Sequence, residues 1–431
     1  IQTAVNDFKV VLFRNTKERL RRVLTFEEAV SGIAGEPFVV GLTRNTSPGY
    51  PWTELKDPGM KGKSSWFGND AYIFDPAVRE HLEAQKRILR TGERLCTVFT
   101  DTLKDERRSN EKVAAKKTRV FAAGPMDLVL LIRMYFLGFI ANAMENRIFN
   151  EISLGTNPFG ADWDMTARKL QRKGKKVFAG DFSNFDGTLN SGIMHEFVNV
   201  VNEWYDDGEE NARIREALML DVINAIHIKG SRLYAWTHGQ PSGNPLTTIL
   251  NSFYNSVSMR VAYRRCARKA GIVPPPFREA VEMVSFGDDN VINIRDDISS
   301  WFNQQTVAEA YKSFGMTYTD EGKSGVIPKW KTLEECAYLK RGFVFSDGKW
   351  KAPLDLDVIL EMCNWVRKSP SNEQATLDNV ETACRELALH PSTVFNKWTR
   401  ILSQECWKKT QEYPTILSQK DYLETMTVGF L

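Results

Sequence analysis

Glu282-Met283-Val284-Ser285-Phe286-Gly287-Asp288-Asp289-Asn290-Val291-Ile292-Asn293-Ile294 reads as two short strands joined by a tight turn at Gly287. Adjacent aspartates at a glycine-containing turn are common on protein surfaces, because both residue types favour turns. Here the flanks are strongly apolar, so the strands are expected to be buried and the turn to emerge from a core. That points to a site rather than a solvated loop. Asp181 and Asp186 stand far earlier in the chain. Carboxylates from two distant strands can hold two magnesium ions, which keep the attacking and leaving oxygens of a phosphoryl transfer in line. Magnesium takes hard oxygen ligands, usually one or two carboxylates plus substrate phosphates.

The surroundings of this stretch bound the answer. A chain of 431 residues is too long for one ordinary core and predicts two or three subdomains. With 42% hydrophobic and 26% charged residues it has the composition of a folded globular protein. The net charge of +3 is small, so any affinity for nucleic acid must come from local patches. Six scattered cysteines without CxxC spacing argue against a disulfide framework or zinc site and favour a reduced setting. The most membrane-like stretch, 127–150, is interrupted by Arg133, and a buried helix is the expectation. Lys9, Arg14, Lys17 and Glu18 break up the apolar start, so no secretory signal is read there.

Around the hairpin, strands and helices alternate from about 127 to 345. Residues 176–181 (KVFAGD) read as a buried strand, 188–204 as an amphipathic helix, and 247–261 as a helix after a Gly/Pro-rich loop. The first part, to about 124, is irregular and ends in a basic cluster. Beyond 346 the chain reads as helical: Leu356, Ile359, Leu360, Cys363 and Val366 share a face, and Pro370 and Pro391 mark later helix boundaries.

Three further segments carry chemistry. Asp181 follows a hydrophobic strand, where an uncompensated carboxylate would cost several kcal/mol. Asp186 lies near a helix start, where a carboxylate is also simply a good cap. In Gly239-Gln240-Pro241-Ser242-Gly243-Asn244-Pro245-Leu246-Thr247-Thr248-Ile249-Leu250-Asn251, Thr247 and Asn251 are four apart and share a helix face. Beside Asp186 they would offer hydrogen bonds suited to a ribose 2′-hydroxyl. Residues 104–119 hold seven basic side chains (Lys104, Arg107, Arg108, Lys112, Lys116, Lys117, Arg119) against three acidic ones. A charge run is usually a solvated face. With a metal site in the same protein, this one suits a clamp for triphosphate and backbone phosphates. A second basic run, 168–176, fits solubility or template contact equally well.

In their joint order and spacing these segments resemble the RNA-dependent RNA polymerases of picorna-like viruses, the order that includes picornaviruses and arthropod-infecting dicistroviruses. Asn45-Thr46-Ser47-Pro48-Gly49-Tyr50-Pro51 resembles the template-channel motif G, and the 104–119 cluster motif F, which binds nucleotide phosphates. Asp181 and Asp186 match the two aspartates of motif A. Ser242, Gly243, Thr247 and Asn251 match motif B, and Gly287-Asp288-Asp289 matches motif C. Gly315-Met316-Thr317-Tyr318-Thr319-Asp320-Glu321-Gly322-Lys323-Ser324 resembles motif D, and Tyr338-Leu339-Lys340-Arg341-Gly342-Phe343 the primer grip, motif E. Phe286 stands where many relatives have tyrosine, and motif G comes nearer the N-terminus than in the vertebrate picornavirus enzymes.

The resemblance implies an α+β right-hand polymerase with an antiparallel palm sheet and a helical thumb. The expected division is fingers 1–138, palm 139–216, a fingers insertion 217–238, palm 239–345 and thumb 346–431. It implies replication of a positive-strand viral RNA genome. Asp181 and Asp288 would hold two Mg2+ ions (Mn2+ could substitute), with Asp289 a weaker ligand and Lys323 the general acid. Lys104, Arg108, Lys112, Lys117 and Arg119 would bind triphosphate, and Asp186, Ser242, Gly243, Thr247 and Asn251 the sugar. Ser47, Gly49, Tyr50, Pro51, Leu339, Lys340 and Arg341 would meet template and primer. Implied partners are a single-stranded RNA template, an RNA or uridylylated protein primer, nucleoside triphosphates and other viral replication proteins. The implied location is the host cytoplasm, at replication complexes on membranes, without direct membrane insertion. A reverse transcriptase and a non-catalytic RNA-binding protein are the rival readings.

Overall fold

Three separate segments, two of them rich in small and apolar residues, build the central sheet. The computed structural model describes residues 1–323, 325–366 and 369–428. In it four strands run in the order Val281–Phe286, Asp289–Ile294, Lys176–Ser183 and Thr317–Asp320, each antiparallel to its neighbour. Both faces are covered. Phe178, Phe182, Met283 and Ile292 join the largest apolar cluster. Val177, Ala179, Val284 and Val291 meet Trp163, Leu333 and Trp350 on the other side. Burial on both faces explains the near-continuous apolar runs. Phe286 pairs with Asp289 across a two-residue turn in which Gly287 has φ +64. A positive φ at the first central position is the type II′ geometry that suits strand twist and favours glycine.

A second sheet runs Val120–Ala123, Val98–Leu103, Ile226–Lys229, Arg232–Ala235, with only the middle pair parallel. The helix Thr247–Lys269 packs on the strand Val281–Phe286 and on the helix Gln304–Lys312. The helix Met126–Glu145 is long and apolar enough to cross a membrane, yet 94% of its apolar stretch is buried within the fold. Helices Phe26–Ser31, Ser191–Tyr205 and Glu209–Ile223 cover it. At the C-terminal end, helices Leu356–Met362, Asn372–Leu387, Ser392–Thr410 and Gln419–Val428 enclose Ile359, Leu377, Leu387 and Phe395.

Several element bounds are corrected. The 176–181 strand continues to Ser183, because Asp181, Phe182 and Ser183 pair with Thr317 to Thr319. The helix expected from 188 begins at Ser191, because the Asn190 side chain accepts from Gly192 N at 2.9 Å and caps it. The helix at 247 runs to Lys269, and the one at 356 ends at Met362, leaving Val366 beyond it and exposed. The boundaries at 138/139 and 216/217 cut through the continuous helices Met126–Glu145 and Glu209–Ile223.

Candidate active site

The register of the central sheet brings the candidate carboxylates to one end. Gly180 pairs with Asn290, so the next residue, Asp181, meets the end of the hairpin that carries Asp288 and Asp289. Burial raises the Asp288 carboxyl above the usual range, and the neighbouring Asp181 raises it further. Burial, then Asp288 and Asp181, push Asp289 up to about 7. Each of the three therefore lies within the field of the others. Lys323 Nζ reaches Asp181 Oδ2 at 2.5 Å, from a residue held at φ +52. Ser324, the end of the same segment, lies outside the described residues. Among the described residues no three acidic, His or Cys side chains form a ready-made metal cage. A part-buried, mutually repelling set of hard oxygens nevertheless suits Mg2+, which completes its shell with phosphates and water.

The turn itself is held from below by side chains that the sequence reading missed. Asn255, fully buried on the helix Thr247–Lys269, donates through Nδ2 to the carbonyls of Gly287 (3.0 Å) and Asp288 (2.9 Å). Ser252 Oγ accepts from Gly287 N at 2.8 Å. Tyr318 Oη donates to Asn290 Oδ1 at 2.8 Å, fastening the adjoining strand. One signal was available: Asn255 lies four residues beyond Asn251, on the same helix face.

Asp186 and Asn251 do meet. Asn251 Nδ2 donates to Asp186 Oδ1 at 2.7 Å. Asp186 sits in the single turn Phe185–Gly187 rather than capping a helix, and its carbonyl accepts from Gln240 N at 2.8 Å. Burial raises its carboxyl, opposed by the Asn251 bond and by the nearby Lys104. Asn251 Oδ1 is buried without a partner among the described residues. It is an acceptor waiting for a donor. Thr247 Oγ1 is already engaged, donating to Asn244 O at 2.9 Å. Gly243 lies so close to Ala122 and Ala123 that any Cβ would strike their backbone, and its carbonyl accepts from Gly124 N at 3.0 Å. Ser242, half-buried, sits at this crossing.

The basic cluster loops between two strands of the second sheet, with Lys104 N bonded to Arg119 O at 2.9 Å. Arg119 clasps Glu106, and Arg108 reaches the same carboxylate at 2.9 Å. The Arg119 bonds hold Glu106 down at about 2. Arg119 also feels Asp288, and Lys104 feels Asp186, so these two face the carboxylates. Lys112 and Lys117 are exposed on the loop. Ser47, Tyr50 and Pro51 are exposed on a turn anchored by the bond from Met126 N to Pro48 O at 2.8 Å. Gly49 supplies a φ of +74 there against Pro125. Buried Lys63, its ammonium lowered to about 8 by desolvation, ties Thr43 O and Thr46 O at 3.2 and 3.1 Å. Lys340 is exposed and lies within the field of Asp289. Its neighbour Leu339 is half-buried, and both have positive φ. Arg341 forks onto Glu386 at 2.8 and 2.9 Å and donates to Ala352 O, so it ties the sheet region to a C-terminal helix.

Comparison with known proteins follows the same lines. A family model described as viral RNA-dependent RNA polymerase matches residues 3–403. The replicase polyprotein of Acute bee paralysis virus (strain Rothamsted) is 46% identical over 434 residues, covering 98% of this chain and 23% of that one. That of Cricket paralysis virus is 39% identical over 99% of this chain and 26% of the polyprotein. This chain thus spans about a quarter of the length of these relatives. The fold is similar to that of the Sicinivirus 3Dpol RNA dependent RNA polymerase, with a TM-score of 0.80 at 21% identity over 98% of this chain and 83% of that one.

Proposed function

The chain belongs to the viral RNA-dependent RNA polymerases of picorna-like viruses, and on that premise we propose that it extends RNA by two-magnesium nucleotidyl transfer. What supports this reading is the meeting of Asp181 with Asp288 and Asp289 at one end of the central sheet, with Arg119 and Lys104 facing them. Asp181 and Asp288 would hold the ions, with Asp289 a weaker ligand. Bound magnesium lowers the pKa of a 3′-hydroxyl and neutralises charge growing on the phosphates.

The protein's own groups do the rest. Arg119 and Lys104 take the triphosphate, Arg119 by a fork that lysine cannot copy, and Arg108, Lys112 and Lys117 add positive charge on the approach. An incoming triphosphate competes with Glu106 for Arg119. Lys323 donates a proton to the leaving pyrophosphate, a role that general acids typically fill with about 100- to 10,000-fold acceleration. Asn251 Oδ1 accepts from the ribose 2′-hydroxyl while Asp186 orients the amide, with Ser242 alongside. Ser47, Tyr50, Pro51 and Lys340 contact template and primer. Implied partners are single-stranded RNA, a primer, nucleoside triphosphates and other viral replication proteins, at membrane-associated complexes in the host cytoplasm.

The test is Asp288→Ala in a magnesium-dependent primer extension on an RNA template. Extension should disappear while RNA binding persists. A variant that still extends the primer would overturn the metal assignment. Ribonucleotide incorporation by the unmodified protein separates this reading from a reverse transcriptase, which makes DNA, and from an RNA-binding protein, which makes nothing.

A further inference from the structure

The second sheet carries basic and aromatic side chains on one face, outside the residues assigned above. Cross-strand pairing sets Phe99, His227 and Tyr234 in one row and Leu103 with Val120 in another. Between them lie Asp101 with Ala122 and Lys229 with Arg232. Alternation along each strand places these rows on the same face. An open cleft of about 560 Å³ lies there, lined by Asp101, Val120, Lys229, Arg232, Leu233 and Tyr234. That volume is in the range of small-molecule sites. Neither Lys229 nor Arg232 has an ion-pair partner among the described residues. The Asp101 carboxylate is occupied, accepting from Tyr234 Oη and meeting His227 Nδ1 at 3.0 Å. The cleft's available charge is therefore positive.

Tyr234 is the outer member of a run of near-parallel rings. Phe99 and His227 stack at 5.8 Å and 29°, and His227 and Tyr234 at 5.1 Å and 14°. Phe99 and His227 are fully buried, whereas Tyr234 is 41% exposed on an edge strand whose residues are all exposed. A rigidly backed, exposed ring beside Arg232 and Lys229, whose Nζ donates only to the neutral Asp101 O at 3.4 Å, is the arrangement that stacks a base while holding its phosphate. The middle strands are parallel, so the Lys229–Arg232 turn leaves the sheet at the same end as the 104–119 loop.

We propose that this face is a second nucleotide-binding site, with Tyr234 stacking a base and Lys229 and Arg232 neutralising its phosphates. It rests on the polymerase reading for its biological use but not for its binding chemistry. The nucleotide could belong to an RNA strand or to a free triphosphate, and the experiment separates the two. Binding of a fluorescent single-stranded oligouridylate is followed by anisotropy across a salt series, and KM for nucleotide is measured in primer extension. The paired substitution Lys229→Ala with Arg232→Ala should weaken RNA binding and make the log–log salt slope shallower by about 1.4, the share of two phosphate contacts. Tyr234→Ala should weaken it roughly 5- to 150-fold with the slope kept. Tyr234→Phe, which keeps the ring, should bind as the parent and guards against a folding artefact. A raised KM for nucleotide with unchanged RNA affinity would assign the site to free triphosphate. Unchanged RNA affinity, slope and KM in all three variants would overturn the proposal. Asp288→Ala in the same binding assay keeps the two readings apart, because it should abolish extension and leave oligouridylate binding intact.

Discussion

At the scale of single residues, the sharpest feature is Asn251 Oδ1, a buried acceptor with no donor beside a carboxylate that fixes the amide. If it accepts from a 2′-hydroxyl, Asn251→Ala should cut the preference for ribo- over deoxyribonucleotides by about 10- to 100-fold, the share of one buried polar contact. Competing incorporation on one template measures it. Asp289 gives a pH dependence. Its carboxyl rises from 3.8 to about 7 on folding, so the fold prefers it protonated. Its contribution is complete below about pH 4 and is lost as pH rises through about 7. Metal-free protein should melt at a lower temperature at pH 8 than at pH 5, and Asp289→Asn should flatten that difference. A matching loss in the variant would sink the attribution. The aspartates and the Asp186–Asn251 pair were legible because acidic or amide letters stood against apolar strands or at helical spacing. The acceptors that Asn255 serves, and two of the three that Lys63 serves, are backbone carbonyls, which no letter records.

At the scale of elements, the helix Thr247–Lys269 is the bench on which the catalytic turn rests. Sequence reading found it by its Gly/Pro-rich entrance loop and ended it at 261, because the middle turns, 249–260, are buried all round and masked the helical period that exposed Arg264, Arg265, Arg268 and Lys269 resume. The same burial hid strand alternation in the central sheet, whose residues are apolar on both faces. Asn255→Ala strands two buried carbonyls beside Asp288. It should cost about 1–3 kcal/mol in chemical unfolding. It should also lower kcat more than KM for nucleotide, since the turn and not the triphosphate clamp is loosened. An equal change in both would place Asn255 among general packing residues.

At the scale of the whole molecule, the N-terminal helix Gln2–Leu12 is wired to the centre. Asp7 pairs with Arg278 at 2.5 Å and with buried Arg260 at 2.8 Å. Arg260 also forks onto Glu151 at 2.6 and 2.8 Å. Glu151 O accepts from Ser285 N at 2.7 Å, two residues before the turn. Asp7→Ala leaves Arg260 one carboxylate partner, Glu151, and the Ser256 carbonyl, so it should destabilise by about 2 kcal/mol, short of the roughly 3–5 kcal/mol for stripping a buried charge bare. Thermal or urea unfolding reads it, and an unshifted midpoint would remove the helix from the load path. Nothing in the sequence joined Asp7 to Arg260, because pairings between remote segments have no periodic signature. The buried helix Met126–Glu145 has a further consequence for how the molecule comes into being. Its cover includes Ser191–Tyr205 and Glu209–Ile223, which are synthesised later. Until they emerge from the ribosome, a nascent chain offers a greasy rod long enough to be diverted into a bilayer, and a fragment ending before Ser191 would inherit that hazard permanently.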